Sequence, residues 1–568
     1  MVRGRPKRLP LPEVADTCAR YLGMIKPLVA PPDFVRATAL ARQLAETAAP
    51  LQTELRRLAA ELDGDFVGGF WRDMYLRLRH PLAPFQNPGL LFRLPAAIAG
   101  HGLARRAAAI AVASARLARQ IAVGEHPGEC ETRQPLCQTQ HRYAFGTVRL
   151  PGLRRDRIRR TNLLSHFIVA HAGKFYALPL PDGASPAAEI ACLEPQLRVI
   201  LADRRTSRGT GALTSLPRAE WHRCRRRLRR DPVNRASLRA METASFVVCL
   251  EPDHRVDDRA ELAGAVLHGD PANRWYDRIS QFILFAAPYM GVNGEHSVID
   301  GHAACTLLET ICASVCAHAG PATPAGDSVP EPLAWKLGMV AAELVAAVQA
   351  AAATRAGLHL GVGDADGTGA GLRDDVRAQL AVQLAHYQLT GRAEAVYQPT
   401  HMRRYARGRT EAVRPVSAGT IAFCRAVAAG RDPVHRLHEL SRRAVRAVLE
   451  RARAAQDGNG IDRHLFALLQ VARRRGEVPE LFRDPTFAEV LGPAILCTSS
   501  LSGFPHLDLI VFAPVRADGF GIAYVPNHGR ITFCVTGHRP DTPEFVQRLI
   551  AACATLRPIL HAGADTRP

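Results

Sequence analysis

Lysine is nearly absent from this chain: four of its 73 basic residues are Lys and the rest are Arg. The formal net charge is +20. Such a surface attracts nucleic acid, anionic membrane or a phosphorylated small molecule. No nucleic-acid-binding motif accompanies the charge. The excess of Arg, with abundant Ala, reads as compositional bias, so nucleic acid is set aside as a partner. Also missing is any CxxC pair among the 13 cysteines. Cys312 and Cys316 stand four apart in an apolar helix near His318, and zinc there would need a fourth ligand from elsewhere. Buried thiols are the simpler reading, and no metal is expected. Scattered, unpaired cysteines suit a reduced, cytoplasmic setting. No apolar run reaches the ~18 residues of a membrane span. The stretch GMVAAELVAAVQAAAATRAG contains Glu343 and reads as a packed helix. The basic N-terminus lacks the apolar core of a signal peptide and is short for a mitochondrial presequence. A monomer without an integral membrane span is expected.

What is present is ample material for a core. The chain has 568 residues, 47% of them hydrophobic, enough for two or more domains or one bilobed body. Residues 13–63 carry helical periodicity, and residues 103–123 form a second helix rich in Ala and Arg. HFIVAHAGKFYAL (166–178) reads as two strands joined at Ala172-Gly173. A helix follows Ser215 and Pro217; ASFVVCLEPD, QFILFA and MGVNGE are strands; a helix spans 302–317. Residues 319–333, rich in Pro, Gly and Ala, read as a linker, and 361–371 as a second flexible loop. Helices at 374–389, 434–456 and 543–556 alternate with strands at ILCTSS, LDLIVFAPV, FGIAYVP and RITFCVTG. Alternating strands and helices in both halves predict an α/β protein.

One motif carries chemistry. His296-Ser-Val-Ile-Asp300-Gly301 places an imidazole at a strand end and a carboxylate four residues on. Imidazole is suited to deprotonating a hydroxyl near neutral pH. The carboxylate can reach back to the ring or to a nearby arginine. Alone the HxxxDG pattern is weak, because many coenzyme A-dependent acyltransferases share it.

Context sharpens it. LPLPEVADTCARYLGMIKPLV, FWRDMYLRLRHPLAPFQNPGLLF, PLCQTQHRYAFGTVRLPG, LTSLPRAEW, DPVNRASL, NRWYDRISQFILF, NGEHSVIDG, LAVQLAHYQLTGR, HMRRYARGRTEAVR, GIDRHLFAL, LCTSS and FAPVRADGFGIAY follow one another in this order. Nearly the whole chain thereby resembles the choline/carnitine acyltransferase family. The resemblance implies two similar lobes of mixed β-sheet flanked by helices, of the chloramphenicol-acetyltransferase kind, with an active-site tunnel between them. It implies an N-terminal helical segment (1–85) packed on the C-terminal lobe, a lobe carrying the catalytic His (86–334) and a coenzyme A- and carnitine-binding lobe (335–568). It also implies coenzyme A or acyl-CoA as cosubstrate, no permanently bound cofactor and no acyl-enzyme. His296 takes the hydroxyl proton, Asp300 supports it through a neighbouring arginine, and Ser499 donates to the tetrahedral oxyanion.

The same resemblance implies which alcohol is used. Arg463 falls where carnitine enzymes have Arg and choline acetyltransferase looks different, with Asn. Tyr397 and Thr410 sit at the other carboxylate-contacting positions, Thr498 at the substrate wall and Phe512 near the trimethylammonium group. Asp375 and Arg373 are expected at the coenzyme A end. The loop there, GDADGTGAGLRDD, departs from the family: Thr368 and Gly371 stand where lysines meet the 3′-phosphate, with Arg373 and Asp374 in place of Ser and Pro, and Arg377 nearby as a substitute. A different thiol carrier, a different alcohol, or a weakened homologue that only binds acyl-CoA or carnitine stays open on this reading. Ile510 occupies a chain-length position that is Met in short-chain members and Gly in longer-chain ones, implying short acyl groups. Ile510→Gly is therefore expected to shift preference toward longer acyl-CoA in a thiol-release assay, and an unchanged acyl profile would reject the pocket assignment.

Overall fold

The computed structural model describes residues 5–131, 133–162, 164–183, 185–203, 205–207, 209–254, 258–317, 329–368 and 371–561, without the side chains of 317, 371–373 and 561. It is a mixed α/β protein built on two large sheets. The first has seven strands in the order 507–511, 89–93, 289–293, 281–285, 247–251, 166–171, 174–179. Its pairs are antiparallel except on either side of Val247–Glu251, where both are parallel. The second has six strands in the order 359–366, 530–537, 520–527, 496–500, 396–401, 410–413. Leu496–Ser500 lies parallel to both of its neighbours. Strands buried on both faces, such as VVCLE and QFILF, read as continuous apolar runs because helices cover both sides.

The lobes are stitched by strand exchange. Leu507–Val511 comes from the C-terminal third of the chain yet pairs with Gly89–Arg93 at the edge of the first sheet, setting Leu90 opposite Ile510. Val340, Leu344 and Ala347 also belong to the first lobe's core. Residues on both sides of the expected 334/335 boundary thus contribute to this core. The N-terminal region is three helices, Val14–Ile25, Pro31–Thr47 and Ala49–Glu61, interrupted near Pro31 and Ala48. Their buried face, including Tyr21, Ile25, Leu44 and Leu55, packs with Leu465, Leu468 and Val471 of the helix Asp462–Arg475.

Three readings from the sequence change. Residues 361–371 were expected to be a loop, but His359–Asp366 is an edge strand paired over its whole length with Arg530–Gly537. Its glycines serve close packing. A Cβ at Gly361 would lie 2.8 Å from Pro543 Cα, and one at Gly363 2.7 Å from Ile550 Cδ1, both on the terminal helix Thr542–His561. The expected linker lies partly outside the described residues, but its end is docked: Leu333 N–H donates to Phe175 O at 2.7 Å. The helix at 341–356 forms as expected but is packed along one edge only. The span Gly338–Ala356 has mean hydropathy 1.2 and is 17% buried, and among the described residues it is the one helix long and apolar enough to cross a membrane by length and composition.

Candidate active site

His296 follows the strand Tyr289–Asn293, and Asp300 immediately precedes the helix Gly301–Ala317. The short loop between them is clamped from both ends. On one side, Glu295 accepts from Ser297 N at 3.1 Å, Ser297 Oγ at 2.7 Å and Arg149 Nη1 at 2.9 Å. Arg149 continues into a buried chain of charges. It donates to Asp156, which also accepts from Arg218; Arg218 donates to Asp277, and Asp277 accepts from Trp221 Nε1. On the other side, Arg409 donates to both Asp300 oxygens, Nε to Oδ2 at 2.7 Å and Nη2 to Oδ1 at 2.9 Å. The same guanidinium reaches Ser297 O at 2.6 Å and His296 O at 3.2 Å. Burial opposes the Asp300 charge, but Arg409 outweighs it and holds the carboxyl below the usual range. Gln140 completes the clamp, its Oε1 accepting from Asp300 N at 2.7 Å and its Nε2 donating to Gly408 O at 3.1 Å.

This scaffold fixes the tautomer of His296. Its Nδ1 lies 2.8 Å from Ile299 O. A carbonyl oxygen only accepts, so Nδ1 carries the hydrogen and Nε2 keeps its lone pair. The ring meets the edge of Tyr75 with centroids 5.5 Å apart. Asp300 has its hydrogen bonds with Arg409 and Gln140, so it acts on the histidine through the arginine. Gly301 passes close to the second lobe, where an added Cβ would lie 3.2 Å from Leu501 Cδ1. That leucine directly follows the strand Leu496–Ser500.

Arg463, Tyr397 and Thr410 converge. Arg463 Nη2 donates to Tyr397 Oη at 3.0 Å and to Thr410 Oγ1 at 3.2 Å, while Nε donates to Thr410 O at 3.0 Å. The guanidinium lies 3.8 Å from the Trp71 ring centroid. It is buried, and it forms no salt bridge among the described residues. Burial disfavours its charge, but Tyr397, Glu411 and Asp462 hold the group firmly protonated. Glu411 sits behind it, accepting from the backbone N–H of Arg463 at 3.2 Å and of Ala412 at 2.7 Å. A recess of about 450 Å³, counting space open to solvent, is lined by Arg409, Thr410, Glu411 and Arg463 together with Asp65 and His464.

Other expected site residues are distributed differently. Ser499 is half-buried, and its hydroxyl has no hydrogen-bond partner among the described residues. Thr498, expected at the substrate wall, is 1% exposed. Its hydroxyl donates to Tyr397 O at 2.9 Å and accepts from Gln379 Nε2 at 3.0 Å, so it ties the tyrosine strand to the helix Gly371–Thr390. Asp375 accepts from Tyr524 Oη at 2.8 Å and Ser500 Oγ at 2.9 Å, and burial raises its pKa. The side chain of Arg373 lies outside the described residues. Arg377 is turned inward onto Asp374 and the Asp366 carbonyl, so it does not replace a surface lysine. The Asp374 carboxylate accepts from Thr368 N at 2.9 Å. Ile510 is buried in the exchanged strand, and the half-buried Phe512 follows it.

Arg409, Glu411, Gln140, Trp71 and Tyr75 were not foreseen. Trp71 and Tyr75 stand four apart on the helix Gly68–Arg77, the spacing that puts two side chains on one helix face. One touches Arg463 and the other His296. That aromatic pair was the available signal.

The chain belongs to the choline/carnitine O-acyltransferase family: the family described as Choline/Carnitine o-acyltransferase matches residues 9–551. It is therefore an acyltransferase, of a family that uses coenzyme A esters as cosubstrates. It is similar to carnitine O-acetyltransferase of Rattus norvegicus, 27% identical over 94% of this chain and 89% of that one. It is 28% identical to mitochondrial carnitine O-palmitoyltransferase 2 of Rattus norvegicus, over 91% and 86%. It is 30% identical to the liver isoform of carnitine O-palmitoyltransferase 1 of Homo sapiens, over 91% and 72%. Among solved structures, trichothecene 15-O-acetyltransferase from Fusarium sporotrichioides aligns at TM-score 0.40 with 10% identity, covering 86% of this chain and 93% of that one.

Glu411 gives the site a measurable pH signature. Burial raises its carboxyl to about 7, with Arg463 opposing the rise. A carboxyl raised on folding contributes stability that is full below its unfolded value and is lost as pH rises through its folded value. The loss between about pH 4 and about pH 8 amounts to at most about 3 kcal/mol. Glu411→Gln removes this dependence. Urea unfolding of both chains at about pH 5 and about pH 8 is expected to favour the variant more at the higher pH; an equal difference at both would show that Glu411 titrates as an ordinary carboxylate.

Proposed function

We propose that this chain transfers a short acyl group reversibly between coenzyme A and the hydroxyl of carnitine. The observation that carries the reading is Arg463: a buried guanidinium, backed by aromatic surface and two hydroxyls, with no carboxylate paired to it among the described residues. An unpaired buried charge is unfavourable, and a ligand carboxylate relieves it. Carnitine carries that carboxylate and choline does not.

The chemistry follows from the tautomer. His296 Nε2 accepts the proton of the alcohol, whose oxygen attacks the thioester carbonyl carbon. The carbonyl electrons move onto oxygen, where the Ser499 hydroxyl is proposed as the donor. When they return, the C–S bond breaks and the departing thiolate takes the proton from the imidazolium. Arg409 and Asp300 keep the ring oriented throughout, and no covalent bond to the enzyme is needed. Ile510, filling the exchanged strand with a branched side chain, supports acetyl, propionyl or similarly short groups. A monomer acting in the cytoplasm accompanies this proposal.

The test is alcohol selectivity. A charge-assisted hydrogen bond is worth about 1.5–3 kcal/mol, and removing Arg463 also removes the penalty that choline incurs. Arg463→Asn is expected to lower the carnitine-to-choline ratio of kcat/KM by roughly 10–100-fold. An unchanged ratio would take the carboxylate away from Arg463 and carnitine away from the assignment.

A further inference from the structure

The segment after the helix Leu103–Val123 brings together side chains that the acyl-transfer chemistry does not use. His126, Glu129 and His141 lie within one stretch of chain, and their ligand-capable atoms all fall within 4.8 Å of one another. Glu129 Oε1 is 3.2 Å from His141 Nε2 and 3.7 Å from His126 Nε2. Ligands held tetrahedrally about 2.0–2.1 Å from a zinc ion stand about 3.3–3.4 Å apart, and these spacings bracket that value. The two imidazole rings are 5.3 Å apart at 70°, splayed as two rings sharing one ion must be.

A second observation points the same way. The His126 and His141 side chains are 8% and 3% exposed, yet among the described residues neither nitrogen of His126, nor Glu129 Oε1, nor His141 Nδ1 meets a partner in hydrogen-bond geometry. Buried polar atoms without partners are uncommon and costly. His141 Nε2 presents its lone pair to Arg403 Nη2 at 3.1 Å, a contact that a bound ion would replace. Arg403 also donates to Glu129 Oε2 at 2.5 Å, which leaves Oε1 aimed between the imidazoles. That is the arrangement of an outer partner orienting a ligating carboxylate.

We propose that His126, Glu129 and His141 form a binding site for a divalent first-row transition metal, zinc by preference, with water as the fourth ligand. Two imidazole nitrogens and one carboxylate oxygen select such an ion over Mg²⁺ or Ca²⁺. The ion would have a structural role. It would close the 126–141 segment into a loop, and the residue before His141 is Gln140, which holds Asp300 N and Gly408 O. The metal would brace the catalytic loop from outside the tunnel.

The test uses the full-length chain, stripped with a chelator and titrated calorimetrically with Zn²⁺. One equivalent is expected to bind, and Co²⁺ in its place is expected to give the visible absorption of a four-coordinate site. His126→Ala removes one imidazole and its 3.7 Å contact with Glu129, and it is expected to weaken Zn²⁺ by roughly 100-fold or more, since loss of even an outer partner costs about 10–100-fold. Glu129→Gln, which keeps the shape of the side chain, serves as the second variant and is expected to weaken it similarly. His101→Ala, at an exposed position, is expected to bind like the parent. Zinc is also expected to raise Tm in the parent and not in His126→Ala. Absence of stoichiometric binding, or equal binding by parent, His126→Ala and Glu129→Gln, would overturn the proposal.

Discussion

The site depends on one buried ion pair. Arg409 grips both oxygens of Asp300 and, with its remaining donors, the carbonyls of Ser297 and His296. Two unlike segments of chain are joined there, the loop that ends the strand Tyr289–Asn293 and the turn that begins the strand Thr410–Val413. A buried pair of this kind is a weak source of net stability, because desolvation consumes most of the attraction. Its consequence is geometric. With the loop carbonyls held, Ile299 O meets His296 Nδ1, and the opposite ring nitrogen keeps a lone pair. Removing either partner would leave a charge buried alone and release the loop.

From that constraint the recess around Arg463 follows along the chain. Arg409 holds the catalytic loop, Thr410 faces the Arg463 guanidinium, and Glu411 accepts from the Arg463 backbone. Three consecutive residues thus hold the His296 loop, the Arg463 guanidinium and the Glu411 carboxyl behind it in fixed relation. The helix Gly68–Arg77 spans the same two stations, with Tyr75 on His296 and Trp71 on Arg463. His296 and Arg463, the proposed base and carboxylate anchor, therefore share rigid supports. Holding reactant and catalytic group in register is how much of a bimolecular barrier is removed.

The α/β class, most strands of both sheets and several helices were legible, because long apolar runs and helical spacing report burial directly; Gly89–Arg93, Val396–His401 and Thr410–Val413, short or interrupted by polar residues, were not read as strands. The edge strand His359–Asp366 was not, since its glycines look like a flexible loop until the terminal helix lies across them. The exchange of Leu507–Val511 into the other lobe's sheet was equally hidden, as strand pairing leaves no local mark. At the site, His296, Tyr397, Thr410 and Arg463 could be named from motifs. Arg409 could not be singled out, because it is one of many arginines in an Arg-rich chain and only the fold shows which carboxylate it meets.

The central claim is that His296 Nε2 is the base of a direct acyl transfer. The most direct measurement is release of free thiol from acetyl-CoA in the presence of carnitine, comparing the parent chain with His296→Ala. Loss of a general base costs about 10²–10⁴-fold, and the account predicts a fall in kcat of at least that size with an unchanged unfolding transition. Turnover near that of the parent in a folded His296→Ala chain would contradict it.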